Sequence, residues 1–407
     1  MCNFFEKRIY ELVDHADNSM NLNLLIKQSH GMYIKEIYMS LMTYIRSEQK
    51  NTAIAQSIIE ELSQPFDFTN YGVIINKAKY LPIPHILDSD WRFTVESTTV
   101  LTQLIKEYSS FKRGNLVMIG TPSLFLMVNS HPDILHYNTM LIEKNNIKYF
   151  HTVSSNIITN DVSKVSLEDY ADVIVCDPPW YIDAIKMFIQ SAQRMLRKNA
   201  ILILVVPPEG VRDGIRDEYQ QIINTAEALG FSLCSMLEEI VSYVSPPFEV
   251  KALETRGITN YPIDWRKGSA MIFRKVEIKE VTEIVSNLTD KTVWQEAIVS
   301  NVRFKVKLEV LSQVEVINHI VLNDVYPTVS MRNDLCKRVN VWTSGNRVYA
   351  CKDTYLFFKV LDQISKIGLT NKYLDEIEGD SQEKEEYFNL ILDIVKLERE
   401  EYAKLWD

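Results

Sequence analysis

The central part of the chain alternates short apolar runs with amphipathic stretches. The runs at 115–120, 173–176 and 200–206 are almost wholly apolar, which is typical of strands buried on both faces of a parallel sheet. Residues 182–196 instead repeat apolar side chains at helical spacing. This alternation predicts an α/β fold, a Rossmann-like sheet whose strands are joined by crossover helices. The predicted strands are residues 115–120, 139–145, 147–153, 172–176, 200–206, 231–244 and 269–276.

The first 88 residues follow a different pattern. Apolar positions at 34–45 and again at 54–62 indicate two amphipathic helices, and the stretch YGVIINKAKYLPIP at 71–84 follows them. Short helices followed by such a stretch resemble a small winged-helix module. We expect this domain, residues 1–88, to serve for packing and homodimer formation rather than for contact with nucleic acid, which is the alternative.

The region after residue 280 has mixed character and predicts a C-terminal α+β extension. Residues 340–353 are interpreted as a hairpin that turns at Ser344-Gly345-Asn346, and an amphipathic helix begins near 382. The predicted domains are therefore residues 1–88, 89–280 and 281–407.

The amino-acid composition indicates a globular protein and says little about its function. The chain has 407 residues, of which 46% are hydrophobic and 24% charged, as in globular proteins. No apolar run approaches the roughly 20 residues that span a bilayer, and the N-terminus lacks the pattern of a secretory signal. We therefore expect a cytoplasmic protein without membrane contact. The net charge of −10 is opposite to the basic balance usual in proteins that grip long nucleic acids.

The five cysteines, at positions 2, 176, 234, 336 and 351, form no C-x-x-C pair, and no histidine stands at metal-ligand spacing from them. This spacing argues against a disulfide framework and against a zinc site. Cys176 is interpreted as a small buried side chain at the end of a strand rather than a nucleophile.

Candidate chemistry lies where the predicted strands end, because ligands of open α/β sheets bind at the carboxyl ends of the strands. Gly120, Thr121, Pro122 and Ser123 join the first strand to a helix, and the N-terminus of that helix could meet the carboxylate of an amino-acid cofactor. Glu143 ends the second strand and could accept hydrogen bonds from both hydroxyls of a ribose. An ordinary strand-to-helix turn would also explain the glycine and proline.

The sequence VIVCDPPWY at 173–181 contains the strongest signal. Asp177 follows a buried strand, Pro178 and Pro179 fix the backbone without N–H groups, and Trp180 and Tyr181 follow. The Asp177 carboxylate and the Pro178 carbonyl could accept both hydrogens of an amino group, while Trp180 or Tyr181 stacks on a flat base. Positioning of this kind is the main catalytic need in methyl transfer, so we favour it over simple strand termination.

DPPWY resembles the catalytic motif of amino-group methyltransferases, which include the DNA adenine and cytosine N-methyltransferases and the mRNA adenine methyltransferases with Asp-Pro-Pro-Trp. The predicted layout is also that of class I S-adenosylmethionine-dependent enzymes. This resemblance implies S-adenosyl-L-methionine as the cofactor, with Asp177, Pro178 and Trp180 at the target nitrogen. It implies an adenine N6-type modification of nucleic acid or of another planar amine. The chain lacks the Phe-x-Gly-x-Gly cofactor loop of the DNA enzymes.

A second resemblance covers about residues 1–280 in layout. The N-terminal module, DWRFTVESTTV at 90–100, and the strands up to the DPP motif follow the order seen in branched-chain polyamine synthases. These are aminopropyltransferases that use decarboxylated S-adenosylmethionine. They carry Gly-Asp-Asp-Asp where this chain has Gly120-Thr121-Pro122-Ser123, so the acids that would attract a polyamine are missing.

Three hypotheses follow: an N-methyltransferase, which we favour, an aminopropyltransferase acting on an amine metabolite, and a non-catalytic binding protein on the same scaffold.

Several other residues are weaker candidates for the site. Trp91 and Arg92 could line the substrate entrance or pack a domain junction, and 206–210 lies at the predicted ligand edge. The basic and aromatic stretches 265–268 and 337–347 are expected to be solvated loop residues rather than a nucleic-acid surface.

Overall fold

A computed structural model provides the architecture. It describes residues 2–47, 49–65, 83–109, 113–131, 136–145, 156–277, 294–308, 325–329, 339–371 and 374–406.

The centre of the described chain is an eight-stranded sheet, as the apolar runs predict. Its strands are β1 (Arg92–Phe93), β2 (Gly114–Ile119), β3 (Tyr137–Glu143), β4 (Ile157–Thr159), β5 (Ala171–Cys176), β6 (Leu196–Val206), β7 (Phe231–Val244) and β8 (Arg266–Lys275). They lie in the order β1-β7-β8-β6-β5-β2-β3-β4. Strands β4, β3, β2, β5 and β6 are parallel, and β8 runs antiparallel to both β6 and β7. Strand order reverses between β2 and β5, which puts a crevice at the carboxyl ends of these two strands.

Helices cover both faces of this sheet because its central strands are apolar on both sides. These helices are α5 (Val95–Tyr108), α6 (Pro122–Ser130), α7 (Ile182–Met195) and α8 (Ile215–Ala228). A further helix, α9 (Pro247–Glu254), buries Leu253 and Phe248 in two other cores. On one face α5 and α6 pack against alternate residues of β2, β5 and β6, and on the other α7 and α8 pack against the intervening residues. All six residues of β5 are buried, so the strand positions Asp177 at its end rigidly.

The N-terminal segment forms four helices: α1 (Phe4–Asp14), α2 (Leu22–Gln28), α3 (Ile34–Arg46) and α4 (Thr52–Leu62). Asn3 begins α1 with a capping box, because its side chain accepts from Glu6 N–H while the Glu6 carboxylate accepts from Asn3 N–H. The apolar faces of these helices share a core with Leu253 of α9 and with Trp265, the residue before β8. Most of the stretch at 71–84, namely residues 71–82, lies outside the described residues, so the winged-helix interpretation stays a prediction.

The C-terminal region contains a second sheet of the order β12-β11-β10-β9. Its strands are β9 (Trp294–Val299), β10 (Val302–Lys307), β11 (Val341–Thr343) and β12 (Val348–Tyr349), and it packs against α10 (Thr354–Ile367) and α11 (Ser381–Trp406). The predicted hairpin is present: β11 pairs with β12 and the chain turns at Ser344–Asn346, where Asn346 has a φ of 63°.

The strand expected at 147–153 lies outside the described residues and stays a prediction. Among the described residues, β4 at Ile157–Thr159 pairs with β3 at the edge of the sheet. The expectation that 265–268 and 337–347 are solvated is wrong for the described residues: Trp265 and Trp342 are buried, and Arg347 is only 3% exposed. The two tryptophans lie in hydrophobic cores although their neighbours in sequence are polar, because burying a large indole contributes more free energy than those polar neighbours gain from water.

Within the described part of the chain, no helix has the length and apolar character needed to cross a membrane.

Candidate active site

The turn that follows β2 contains the first predicted site residues. Gly120 adopts a φ of 65°, and a Cβ at this position would lie 3.2 Å from the carbonyl oxygen of Asp177. Pro122 occupies the first turn of α6, where its missing N–H costs no hydrogen bond. The N-cap residue, Thr121, is buried, and its hydroxyl has no hydrogen-bond partner among the described residues. Ser123 Oγ accepts a hydrogen bond of 3.1 Å from Phe93 N–H. This hydroxyl therefore holds β1 in place and already has a protein partner.

Glu143 ends β3, one strand away from this turn. Its Oε1 accepts hydrogen bonds of 3.2 Å from both the backbone N–H and the side-chain amide of Asn145. Burial raises the pKa of Glu143 to about 7, and the nearby carboxylates of Asp90 and Asp88 contribute in the same direction. Glu143 thus lies at the end of the second parallel strand, where the sequence predicts a ribose-binding acid, and that role stays a prediction.

Asp88 and Asp90, which influence Glu143, are held by basic residues. Arg303 forms ion pairs with both aspartates, and Lys305 pairs with Asp88, while Arg92 pairs with Asp90 at 2.9 Å. Arg303 and Lys305 belong to β10 of the C-terminal sheet. The C-terminal region therefore fixes the segment that leads into β1.

Asp177 lies directly after β5, beside the turn of β2. Its backbone N–H donates to Ile119 O at 3.2 Å, which joins the acceptor motif to the candidate cofactor loop. Its Oδ1 accepts a 2.8 Å hydrogen bond from the hydroxyl of Tyr243 at the end of β7. Burial raises the pKa of Asp177 to about 8, against the opposing effect of the Tyr243 hydroxyl, while burial and the neighbouring Asp177 raise the pKa of Tyr243 well above its usual value.

The residues after Asp177 form a fixed turn. Tyr181 N–H donates to Pro179 O at 2.7 Å, and the guanidinium of Arg212 donates to Trp180 O at 2.9 Å. The Trp180 ring meets the Tyr243 ring edge to face, with centroids 5.7 Å apart. Tyr181 precedes α7 and is more exposed than Trp180, so Trp180 is the better placed of the two to serve as the flat wall of the site.

The loop after β6 lies at the same edge of the sheet, as the sequence predicts for 206–210. The hydroxyl of Tyr219 donates to Pro207 O at 2.5 Å, and Gly210 N–H donates to His30 O at 2.8 Å. A Cβ on Gly210 would lie only 2.0 Å from Ser29 O. The N-terminal helices therefore sit directly on this loop.

The structure brings together Gly120, Thr121 and Asp177, with Glu143 on the next strand. Tyr243 is the functional candidate that the sequence did not reveal, because it lies 66 residues from Asp177 and in no motif. Only its place at the end of a strand could have suggested it. Burial raises the pKa of Cys176 well above the usual value for a thiol, in keeping with a small buried side chain rather than a nucleophile.

Comparisons with known proteins bear on the fold. No family model matches the chain, and no curated protein matches its sequence. Among solved structures, the chain is similar to the branched-chain polyamine synthase from Thermus thermophilus, in complex with N4-aminopropylspermidine and 5'-methylthioadenosine. The TM-score is 0.52 and the sequence identity 8%, and the match covers 70% of this chain and 92% of that one. A putative RNA methyltransferase from Pyrococcus horikoshii matches with a TM-score of 0.36 and 12% identity, over 51% of this chain and 100% of that one.

A putative sarcosine dimethylglycine methyltransferase from Galdieria sulphuraria also matches, with a TM-score of 0.32 and 13% identity over 44% of this chain and 84% of that one. The order of the eight-stranded sheet and the similarity to the branched-chain polyamine synthase structure confirm the predicted Rossmann-like fold.

Proposed function

We propose that this protein is an S-adenosylmethionine-dependent N-methyltransferase that acts on an exocyclic or other planar amino group, with nucleic acid as the favoured substrate class. The observation that carries the proposal is the grouping at the end of β5: a carboxyl group, a proline carbonyl and an indole held together beside the turn of β2. Tyr243 supports two of these groups, because its hydroxyl donates to Asp177 and its ring contacts the ring of Trp180.

The residues at the cofactor edge fit the nucleoside. The buried Thr121 hydroxyl, which lacks a partner in the described structure, and the N–H groups at the start of α6 suit the carboxylate of an amino acid. Glu143 would hold the ribose hydroxyls. When bound, the sulfonium cofactor supplies an electrophilic methyl group. A decarboxylated cofactor would leave the Thr121 hydroxyl without the anion that it suits.

The acceptor side follows from the same geometry. One N–H of the target amino group would donate to the Asp177 carboxylate and the other to the Pro178 carbonyl, which orients the nitrogen lone pair. Asp177 can then receive the proton that the nitrogen loses on transfer, because its pKa of about 8 lies near neutral. Trp180 would stack against the flat acceptor and exclude water.

The first experiment decides the cofactor. Mass spectrometry of nucleosides that copurify with the protein, followed by calorimetry with S-adenosylmethionine and its decarboxylated form, should give tighter binding of the former. Tighter binding of the decarboxylated form would support the aminopropyltransferase instead. Binding of neither would favour a non-catalytic protein.

The second experiment tests the chemistry with labelled cofactor and single-stranded DNA, RNA and free nucleosides. Asp177→Ala should abolish methyl transfer while retaining the fold and most of the cofactor affinity. Asp183→Ala is the matched control, because Asp183 is an exposed acid in the first turn of α7. Full activity of the Asp177 variant would refute the proposal.

A further inference from the structure

The guanidinium of Arg266 lies in a box of aromatic rings next to the proposed acceptor site. The ring centroids lie within the range of cation–π contacts from Arg266 Cζ. The distances are 4.7 Å for Trp91, 4.9 Å for Trp265, 5.7 Å for Trp180 and 5.9 Å for Tyr33. We call these four rings with Glu249 the Arg266 box.

Glu249 closes the box with a negative charge. It lies on α9, is 0% exposed, and its Oε1 accepts a hydrogen bond from Arg266 Nη2. Its other oxygen, Oε2, has no partner among the described residues, and neither have Arg266 Nε, Trp91 Nε1 and Trp265 Nε1. An anion and several rings around one guanidinium form a cation-binding site, and this site retains unused hydrogen-bonding capacity.

The Arg266 box adjoins the residues assigned to the acceptor. Arg266 begins β8 and pairs in register with Tyr243 of β7. Tyr243 in turn contacts both Asp177, through its hydroxyl, and Trp180, through its ring. One wall of the box, Trp180, is therefore also the proposed platform for the acceptor.

We propose that Arg266 is a specificity-determining residue, a tethered cation that fills the box and thereby excludes cationic amines from the acceptor site. This proposal rests on the proposed function for the position of the acceptor. A protonated alkylamine would have to compete with the Arg266 guanidinium, whose attachment to the chain gives it a high effective concentration in the box. The positive charge of Arg266 would also repel the amine. A neutral aromatic amine needs neither the box nor Glu249, and would stack on Trp180, which is half-buried.

The test opens the box and offers a soluble cation. Methylguanidinium is titrated into the full-length wild type, Arg266→Ala, Arg266→Lys and the double variant Arg266→Ala/Glu249→Gln, with tryptophan fluorescence and calorimetry as readouts. Methylurea, which is neutral and of similar shape, is the control ligand. None of these measurements requires methyl transfer, so failure here is distinguishable from failure of the proposed function.

We expect Arg266→Ala to bind methylguanidinium at least about tenfold more tightly than the wild type, and not to gain affinity for methylurea. Arg266→Lys keeps a charge in the box and should show no gain, and the double variant should lose the gain of the single one. If Arg266→Ala is unstable alone, its thermal midpoint should rise with methylguanidinium, because a ligand of the folded state stabilises it.

Three outcomes would overturn the proposal: equal affinity in the wild type and Arg266→Ala, an undiminished gain in the double variant, or an Arg266→Ala protein that methylguanidinium neither binds nor stabilises. In the first case Arg266 does not keep free cations out of the box, and in the second the charge of Glu249 does not attract them. In the third it does not form a site for a free cation.

Discussion

The hydrogen bond between Tyr243 and Asp177 offers the sharpest test of the proposed chemistry. Tyr243→Phe removes only the hydroxyl that donates to Asp177 Oδ1 at 2.8 Å, while the ring can keep its contacts with Trp180 and Phe93. The change therefore alters the electrostatics of the carboxyl group with little change in packing.

The magnitude follows from the strength of such a bond. A hydrogen bond to a charged group contributes about 1.5–3 kcal/mol, and one pH unit of pKa corresponds to about 1.4 kcal/mol. The hydroxyl favours the ionised form of Asp177, so its loss should raise the pKa of Asp177 from about 8 by about one to two pH units. Since the ionised carboxylate is the form that accepts from the amino group, activity should fall on the acidic side.

The assay is the pH dependence of kcat/KM for methyl transfer, measured between about pH 6 and 10. In the wild type the acidic limb should lie near pH 8, and in Tyr243→Phe it should move up, with a loss of about 10–100-fold at neutral pH and recovery at high pH. Tyr219→Phe is the control, because the Tyr219 hydroxyl donates to Pro207 O and not to Asp177. An acidic limb that stays in place in Tyr243→Phe, or a loss that is equal at every pH, would refute this reasoning.

Three further predictions concern the cofactor edge and the N-terminal contact. Because the pKa of Glu143 is raised to about 7, nucleoside affinity should increase as pH rises through 7, and calorimetry of Glu143→Gln should show weaker binding without this dependence. Gly120→Ala should lose about 1–2 kcal/mol in denaturant unfolding, and cofactor affinity with it, since alanine is strained at a φ of 65°. Gly210→Ala should lower the free energy of unfolding by more, about 2–3 kcal/mol, because its Cβ would overlap Ser29 O. Gly214→Ala is the control, since a Cβ there has nothing within 4 Å and only the backbone strain remains. Equal losses at both positions would contradict the clash.

The sequence determined the parts of this protein that depend on local pattern. Strand β5 and the position of Asp177 follow from a short run of apolar residues ended by two prolines, and both can be recognised without knowing what lies next to them. The same holds for α7, whose apolar face repeats at helical spacing, and for the turn at Ser344–Asn346. The candidate residues Gly120 and Glu143 also followed, because strand ends in a parallel sheet share one edge.

Only the tertiary structure decided which residues surround Asp177. Tyr243 and Arg266 come from antiparallel strands whose register shifts at two irregularities, between Leu233 and Ser235 and between Leu237 and Val241. A one-residue change in register would turn these side chains to the other face of the sheet, and no local pattern in the sequence fixes that register. The burial of Trp265 beneath the N-terminal helices has the same origin, because it depends on contacts between segments far apart in the chain.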